Sequence, residues 1–270
     1  SVTSYEDYIE YASKIGMKAI AITEHGNILS WLKKKECCEK NGLKYIHGIE
    51  AYLTETIDEK IRDNYHCCLY AKNWEGVKEL NRLISGSFNR KDNHFYYTPR
   101  ILIDDLMKTS NNIIISSACL GGIFNKGNDN VKQRFLEFYI KNKDRCFLEI
   151  QHHNVEDQIK YNRYLYELSK KYDLQLLANT DTHCLNEKHV KGRNILQKAK
   201  NIYFDNEEGW DLTFKTYEEL IKSYEEQNSL PMEVVLQAIE NTNKIADMIE
   251  EFTMDRSYKY PKLYNNSEQV

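Results

Sequence analysis

Side chains that can bind metal ions recur where the short apolar runs of this sequence end. Six positions offer an imidazole, a carboxylate or a thiol: His25, Glu50, His66, Cys119, Asp181 and His183. This mixture of donors suits Zn²⁺, while Mn²⁺ and Fe²⁺ would accept the nitrogen and oxygen donors. Metal ions held by several such side chains lower the pKa of a bound water and stabilise the charged oxygens of a phosphate ester. The residue types therefore predict a metal-dependent phosphoesterase site.

Taken singly, each position also has an ordinary structural explanation. A histidine after a strand, such as His25, is commonly a loop residue with satisfied hydrogen bonds, and Cys119 alone would be a small core residue. Glu50 is harder to dismiss because it lies in an apolar run, where a carboxylate needs partners. Asp181 and His183 have a D-x-H spacing common among metal ligands. The prediction depends on the repetition of donors at successive strand ends.

The elements that must position these donors follow from the apolar periodicity. Six apolar runs predict β-strands, at residues 18–23, 45–53, 65–71, 112–117, 146–151 and 175–180. Amphipathic stretches of helical period separate them, which indicates an α/β fold with a parallel sheet, open or closed. In a parallel barrel all C-terminal strand ends lie on one face, so donors that are far apart in sequence would converge there.

The order of the remaining elements suggests how the chain is divided. Pro99 is expected to open a helix that ends at Met107, because proline is favoured in the first helical turn. Residues 216–226 and 231–251 are predicted to be amphipathic helices. We expect residues 1–200 to form the barrel, 201–257 to be a helical extension and 258–270 to be an exit linker.

Composition narrows the class of protein. The 270 residues are 41% hydrophobic and 29% charged, as in ordinary globular proteins, and the net charge of −4 means that any contact with nucleic acid must be local. Seven cysteines without a C-x-x-C motif favour a reducing cytoplasm. The sequence has no apolar run long enough to span a bilayer and no signal peptide, so no membrane partner is expected.

Seven segments are distinctive. They are AITEHGN (21–27), GIEAYL (48–53), YHCCLYAKNWEGVKELNRLIS (65–85), FYYTPRI (95–101), SACLGG (117–122), FLEIQHH (147–153) and ANTDTHCLN (178–186). In this order they resemble the PHP domain of bacterial DNA polymerase III α subunits, and the resemblance spans roughly residues 3–265. FYYTPR together with SACLGG is typical of the polymerase branch rather than of stand-alone PHP phosphatases. Glu24 departs from the pattern, since the family usually has aspartate there.

The resemblance implies a distorted seven-stranded (β/α) barrel of the TIM type with a helical C-terminal segment. Its C-terminal face would hold up to three Zn²⁺ or Mn²⁺ ions. The ligand positions of the family fall on His25, Glu50, His66, Cys119, Asp181 and His183, and His153 matches a histidine that recurs near the site. Relatives with a complete ligand set resemble 3′–5′ exonucleases that remove a misincorporated nucleotide, whereas relatives that have lost ligands act as scaffolds.

One departure concerns the start of the chain. The family begins with a strand that carries an H-x-H motif, and this sequence starts at the helix that follows such a strand. We therefore expect the first strand and its ligands to be missing, through truncation before that strand and, at the other end, before the polymerase palm. Fewer ions would bind than in an intact site.

Three functions remain open at this point. The first is a PHP domain in DNA replication, with 3′–5′ exonuclease activity in the intact parent; its partners would be DNA, reached through the polymerase, and other replisome subunits. The second is a non-catalytic module that stabilises the polymerase. The third is a stand-alone phosphatase of the histidinol-phosphatase type.

Overall fold

The computed structural model describes residues 2–202, 209–255 and 257–258. The strands are β1 (Ala19–Ile22), β2 (Lys44–Thr54), β3 (Tyr65–Ala71), β4 (Phe95–Tyr96), β5 (Thr98–Leu102), β6 (Ile113–Ser116), β7 (Cys146–Gln151) and β8 (Gln175–Asn179). The helices are α1 (Tyr5–Lys14), α2 (Trp31–Lys40), α3 (Trp74–Ser87), α4 (Ile103–Met107), α5 (Ile123–Lys126), α6 (Asp129–Lys141), α7 (Glu156–Tyr172), α8 (Glu187–Ala199), α9 (Tyr217–Gln227) and α10 (Met232–Met248). The chain has a mixed α/β fold with a helical C-terminal segment, as the sequence predicts.

Polar side chains cap helices near their predicted starts. The Ser4 hydroxyl accepts a hydrogen bond from the backbone N–H of Asp7, and the Asp7 carboxylate accepts one from the backbone N–H of Ser4. Thr216 and Glu219 form the same capping box at the start of α9. These bonds satisfy backbone donors that the helices themselves cannot satisfy, and so fix where α1 and α9 begin.

One curled sheet contains the eight described strands. Its main order is β1–β2–β3–β6–β7–β8, and β5, with β4 beside it, pairs with the C-terminal part of β2. β2 is long enough to pair with β1 at residues 44–47 and with β5 at residues 52–54. The central part of β2, which contains Glu50, therefore lies between the segment that pairs with β1 and the segment that pairs with β5, at the rim of the sheet.

The prediction of a wholly parallel sheet is wrong at β3. This strand runs antiparallel to both β2 and β6, whereas β1, β2, β6, β7 and β8 share one direction wherever they pair. The order of apolar runs along the chain does not determine which way a strand enters the sheet, because the pairing partners lie far away in sequence. Reversal of β3 brings the N-terminal end of this strand, with His66, to the rim where its neighbours end.

The predicted helix from Pro99 to Met107 is also wrong in its first half. Residues 98–102 form β5, and helical structure begins only at Ile103. The fixed φ of proline fits an edge strand as well as a first helical turn, and here Arg100 and Ile101 pair with β2. Tertiary pairing has overridden the local preference.

Helices cover the sheet and share its core. α3 packs on β3, α7 on β7 and α10 on β8. The main apolar cluster includes Leu69 and Leu148 of the sheet together with Leu165, Tyr224 and Val235 of the helices. The proposed domain boundaries at 200 and 257 stay predictions, and residues 259–270 of the predicted linker lie outside the described residues. Among the helices described above, none has the length and apolar character needed to cross a membrane.

Candidate metal centre

All six predicted donors line one open cleft of about 1760 Å³ at the rim of the sheet. His25 follows β1, Glu50 lies within β2, and His66 is the second residue of β3. Cys119 follows β6, and Asp181 and His183 follow β8. Residues separated by up to 158 positions thus meet in one place.

Glu50, His66 and Cys119 form the tightest group, with one donor atom of each lying within 4.8 Å of the others. His66 Nδ1 lies 3.1 Å from Glu50 Oε1 and 3.4 Å from Cys119 Sγ, and the Sγ–Oε1 distance is 3.9 Å. A nitrogen, an oxygen and a sulfur donor around one point match a three-ligand zinc site that keeps a fourth position open.

His25 and His183 lie on the opposite side of Glu50, and Asp181 Oδ1 lies 3.7 Å from His183 Nδ1. The second oxygen of Glu50, Oε2, pairs with His25 Nδ1. His25 Nε2 lies 3.2 Å from His183 Nε2, close to the roughly 3.3 Å expected for two nitrogens on one tetrahedral Zn²⁺. His183 Nδ1 lies 2.8 Å from the backbone oxygen of Asp181, a contact that orients the ring and leaves Nε2 facing the cleft. Glu50 thus stands between two groups of donors.

Backbone geometry near the centre is unusual. Ala118, just before Cys119, has φ +58°, and Asp181 has φ +47°. Non-glycine residues adopt this left-handed region at a cost, and such residues concentrate at functional sites. Gly121 allows a close approach, because a Cβ there would lie 2.7 Å from His66 Nδ1. The turn after β6 is therefore shaped around both Cys119 and His66.

Four of the donors, His25, Glu50, Cys119 and Asp181, carry shifted pKa values. Burial would raise the pKa of Glu50, but the hydrogen bonds from His25 and His66 outweigh it and hold this pKa well below its usual range. The same bond to Glu50 raises the pKa of His25. Burial raises the pKa of Asp181, against the attraction of His183, and burial raises the pKa of the Cys119 thiol. A bound cation would offset the cost of burying these anionic forms, so the donor set fits a metal ion.

Comparison with known families matches residues 1–153 to the PHP domain. The chain belongs to the PHP domain family. This PHP domain is 35% identical over 262 residues to the DNA polymerase III subunit alpha of Borreliella burgdorferi, covering 91% of the chain and 22% of that protein. It is 30% identical over 288 residues to the same subunit of Aquifex aeolicus, covering 95% of the chain and 24% of that protein. The chain therefore spans less than a quarter of the length of these relatives.

A comparison with solved structures found a partial similarity. The matching structure is described as a metal-dependent phosphoesterase from Bifidobacterium adolescentis, with 15% identity and a TM-score of 0.41 over 65% of the chain and 81% of that structure.

His153, predicted to lie near the site, is fully buried and does not line the cleft. Its ring stacks on Trp210, with centroids 4.6 Å apart, and the indole of Trp210 does line the cleft. Burial lowers the pKa of His153 to about 3, so the imidazole is neutral near pH 7. His153 therefore supports the wall of the cleft and is separate from the six donors.

The sequence argument missed Glu149 of β7. This carboxylate is buried and accepts hydrogen bonds from Ser116, Gln151 and Asn179. Burial raises its pKa to about 7. An acidic residue inside the apolar run CFLEIQ is the same signal that singled out Glu50, and it could have identified Glu149.

Proposed function

We propose that this chain is the PHP domain of a replicative polymerase of the DNA polymerase III α type, and that in the intact parent its rim site hydrolyses phosphodiesters as a metal-dependent 3′–5′ exonuclease. The observation that carries the proposal is the convergence of His25, Glu50, His66, Cys119, Asp181 and His183 in one cleft. Similarity to α subunits over 91% and 95% of the chain supports the assignment to replication.

Zn²⁺ or Mn²⁺ is the cofactor we propose. Glu50, His66 and Cys119 would hold one ion, and the Nε2 atoms of His25 and His183, with Asp181 beside them, would hold another. Glu50 Oε2 would orient the His25 ring through its Nδ1 atom. The bound ions would supply a hydroxide near neutral pH and neutralise the charge on the phosphate. Thiol and imidazole donors favour Zn²⁺, whereas the carboxylates also suit Mn²⁺.

The side chains around the donors suit a phosphate-bearing substrate. Five cationic residues line the cleft, namely Lys126, Lys132, Lys160, Arg193 and Lys200. Lys132 and Lys160 belong to α6 and α7, which also bring the carboxylates of Asp129, Glu156 and Asp157 to the cleft, whereas Arg193 belongs to α8 and Lys200 directly follows it. In this arrangement the chain would hold the DNA backbone at the cations and present one phosphodiester to the donors. DNA and other replisome subunits are the partners that we propose.

Exonuclease activity of the intact parent polymerase is the direct test. With a 5′-labelled single-stranded oligonucleotide and Zn²⁺ or Mn²⁺, we expect stepwise 3′ shortening that a chelator abolishes. His183→Ala should reduce it by at least about 100-fold, because even outer-shell changes cost 10–100-fold in metal sites. His94→Ala is the matched control, since His94 pairs with Asp92 outside the cleft. Shortening that resists the chelator, or that survives His183→Ala, would refute the proposal.

A scaffold without turnover is the second candidate, and one observation favours it. Glu50 is already satisfied by His25 and His66, so the centre is partly neutralised by its own side chains. Under this alternative Zn²⁺ would raise the unfolding temperature of the chain while no nucleotide was released. Rapid turnover of a small phosphomonoester, with no processing of DNA, would instead favour a stand-alone phosphatase. All seven cysteines lie among the described residues and none forms a disulfide, which fits the proposed cytoplasmic location.

A further inference from the structure

Strand β7 lies between two strands that deliver metal donors, yet it delivers none of the six. β6 leads into Cys119 and β8 leads into Asp181, and β7 pairs with both. Its one ionisable side chain in the middle of the strand is Glu149, which is only 3% exposed. A carboxylate is costly to bury, so Glu149 needs hydrogen-bond partners inside the protein.

Glu149 bonds to both neighbouring strands at once. Its Oε2 accepts hydrogen bonds from Ser116 Oγ of β6 and from Asn179 Nδ2 of β8, the latter at 2.8 Å. In addition, its backbone N–H donates to Ser117 Oγ at 2.8 Å. Glu149 thus links the C-terminal ends of β6 and β8.

These contacts lie directly before the donors. Ser116 and Ser117 precede Cys119 by three and two residues, and Asn179 precedes Asp181 by two. Each connection passes through a non-glycine residue with positive φ, namely Ala118 or Asp181 itself. A non-glycine residue keeps a positive φ only where the surrounding structure holds it there. Glu149 forms hydrogen bonds to residues just before both connections.

We infer that Glu149 is a positioning residue, which holds Cys119 and Asp181 at a fixed separation by bonding to the strand ends that carry them. This inference rests on the metal site of the proposed function and adds a residue outside the donor set. Glu149 touches none of the six donors through the bonds described here; it acts through Ser116, Ser117 and Asn179.

The rest of the network indicates which substitution should keep the role. Glu149 Oε1 accepts from Gln151 Nε2 at 2.8 Å, while Gln151 Oε1 has no hydrogen-bond partner in the described part of the chain. In Glu149→Gln, rotation of the Gln151 amide would present that oxygen to the new NH₂ group, and the remaining oxygen could still accept from Ser116 and Asn179. Glu149→Met has a similar volume but no acceptor, so the side-chain bonds to Ser116 and Asn179 would be lost.

Binding of Co²⁺ to the chain separates positioning from a general loss of stability. The thiolate-to-Co²⁺ charge-transfer band reports Cys119 in the coordination sphere, and a titration gives the affinity. We expect Glu149→Met to weaken Co²⁺ binding about 10–100-fold and to reduce the band, as loss of outer-shell partners does. Glu149→Gln should remain within about threefold of the wild type, a smaller loss than the outer-shell range.

Asn241→Leu is the matched control. Asn241 is buried on α10 and donates to the backbone oxygen of Leu176 in β8, away from the strand end. This variant should lower the unfolding midpoint and leave both the band and the affinity unchanged. Ser116→Ala removes a single hydroxyl from the network and serves if Glu149→Met does not fold; it should weaken binding by several-fold.

Two results would overturn the inference in different ways. A Glu149→Met or Ser116→Ala chain with wild-type affinity and an unchanged band would show that Glu149 does not position the donors, while the metal site stood. A wild-type chain that gave no thiolate band with Co²⁺ would remove the metal site itself, and with it the role of Glu149.

Discussion

Glu50 has the largest part in the site at the scale of single residues. Its two oxygens face different groups, with His66 and Cys119 on one side and His25 on the other. The sequence indicated its importance because a carboxylate in an apolar strand must find partners. It did not reveal that one carboxylate would stand between two donor groups, since that depends on the approach of β1 and β3 to β2.

Glu50→Gln should lower the pKa of His25 in the metal-free chain. The hydrogen bond to the Glu50 carboxylate is the largest contribution that raises this pKa, and burial, which lowers it, would remain. An NMR titration of the His25 ring measures the change. Glu24→Gln is the control, because the Glu24 carboxylate pairs with Lys34 although it is next to His25 in sequence. An unchanged His25 pKa in Glu50→Gln would contradict the pairing.

At the scale of elements, the convergence of donors was predictable although the reason given for it was incomplete. The rule that parallel strands end on one face accounts for His25, Cys119, Asp181 and His183. It fails for His66, which reaches the rim because β3 is reversed. Strand direction follows from long-range pairing, so the apolar pattern identified β3 and left its orientation open.

Gly121→Ala should disturb the centre through the turn after β6. The added Cβ would lie 2.7 Å from Nδ1 and 2.9 Å from Cγ of His66, so the ring would have to move away from Glu50 and Cys119. We expect metal affinity, measured by calorimetric titration with Zn²⁺, to fall by about tenfold or more, as it does when ligand orientation is lost.

Gly86→Ala provides the matched control for that substitution. Gly86 lies near the end of α3, and apart from its chain neighbours and the backbone of its own helix, no described atom lies within 4 Å of an added Cβ. Alanine there should leave the affinity for Zn²⁺ unchanged and add up to about 1 kcal/mol to the stability of the helix. Equal affinities in the two variants would show that the turn tolerates a side chain at Gly121.

At the scale of the whole molecule, the charge of −4 gives little indication of how stability depends on pH, because buried groups dominate it. Burial lowers the pKa of His47 to about 4, of His152 to about 4 and of His153 to about 3. Their burial was not predictable from sequence alone. For His153 it depends on the packing of Trp210, and for His152 on that of Tyr224, both distant in sequence.

The buried histidines should make the fold sensitive to acid, and His153→Phe tests this. An unfolded chain takes up a proton on this residue below pH ~6.5, whereas the folded chain does so only near pH 3, so stability falls as the pH drops through this window. Phenylalanine can keep the stack on Trp210 and loses no hydrogen bond, since both ring nitrogens of His153 lack partners among the described residues. Relative to the wild type, the free energy of unfolding of His153→Phe in urea should therefore rise by roughly 3 kcal/mol as the pH falls from 7 to 4.

Tyr139→Phe is the control. It removes another buried polar group that has no partner among the described residues, but none that titrates in this range, so its difference in unfolding free energy from the wild type should not vary with pH. A His153→Phe difference as flat as that of Tyr139→Phe would mean that His153 takes up its proton equally well in the folded chain.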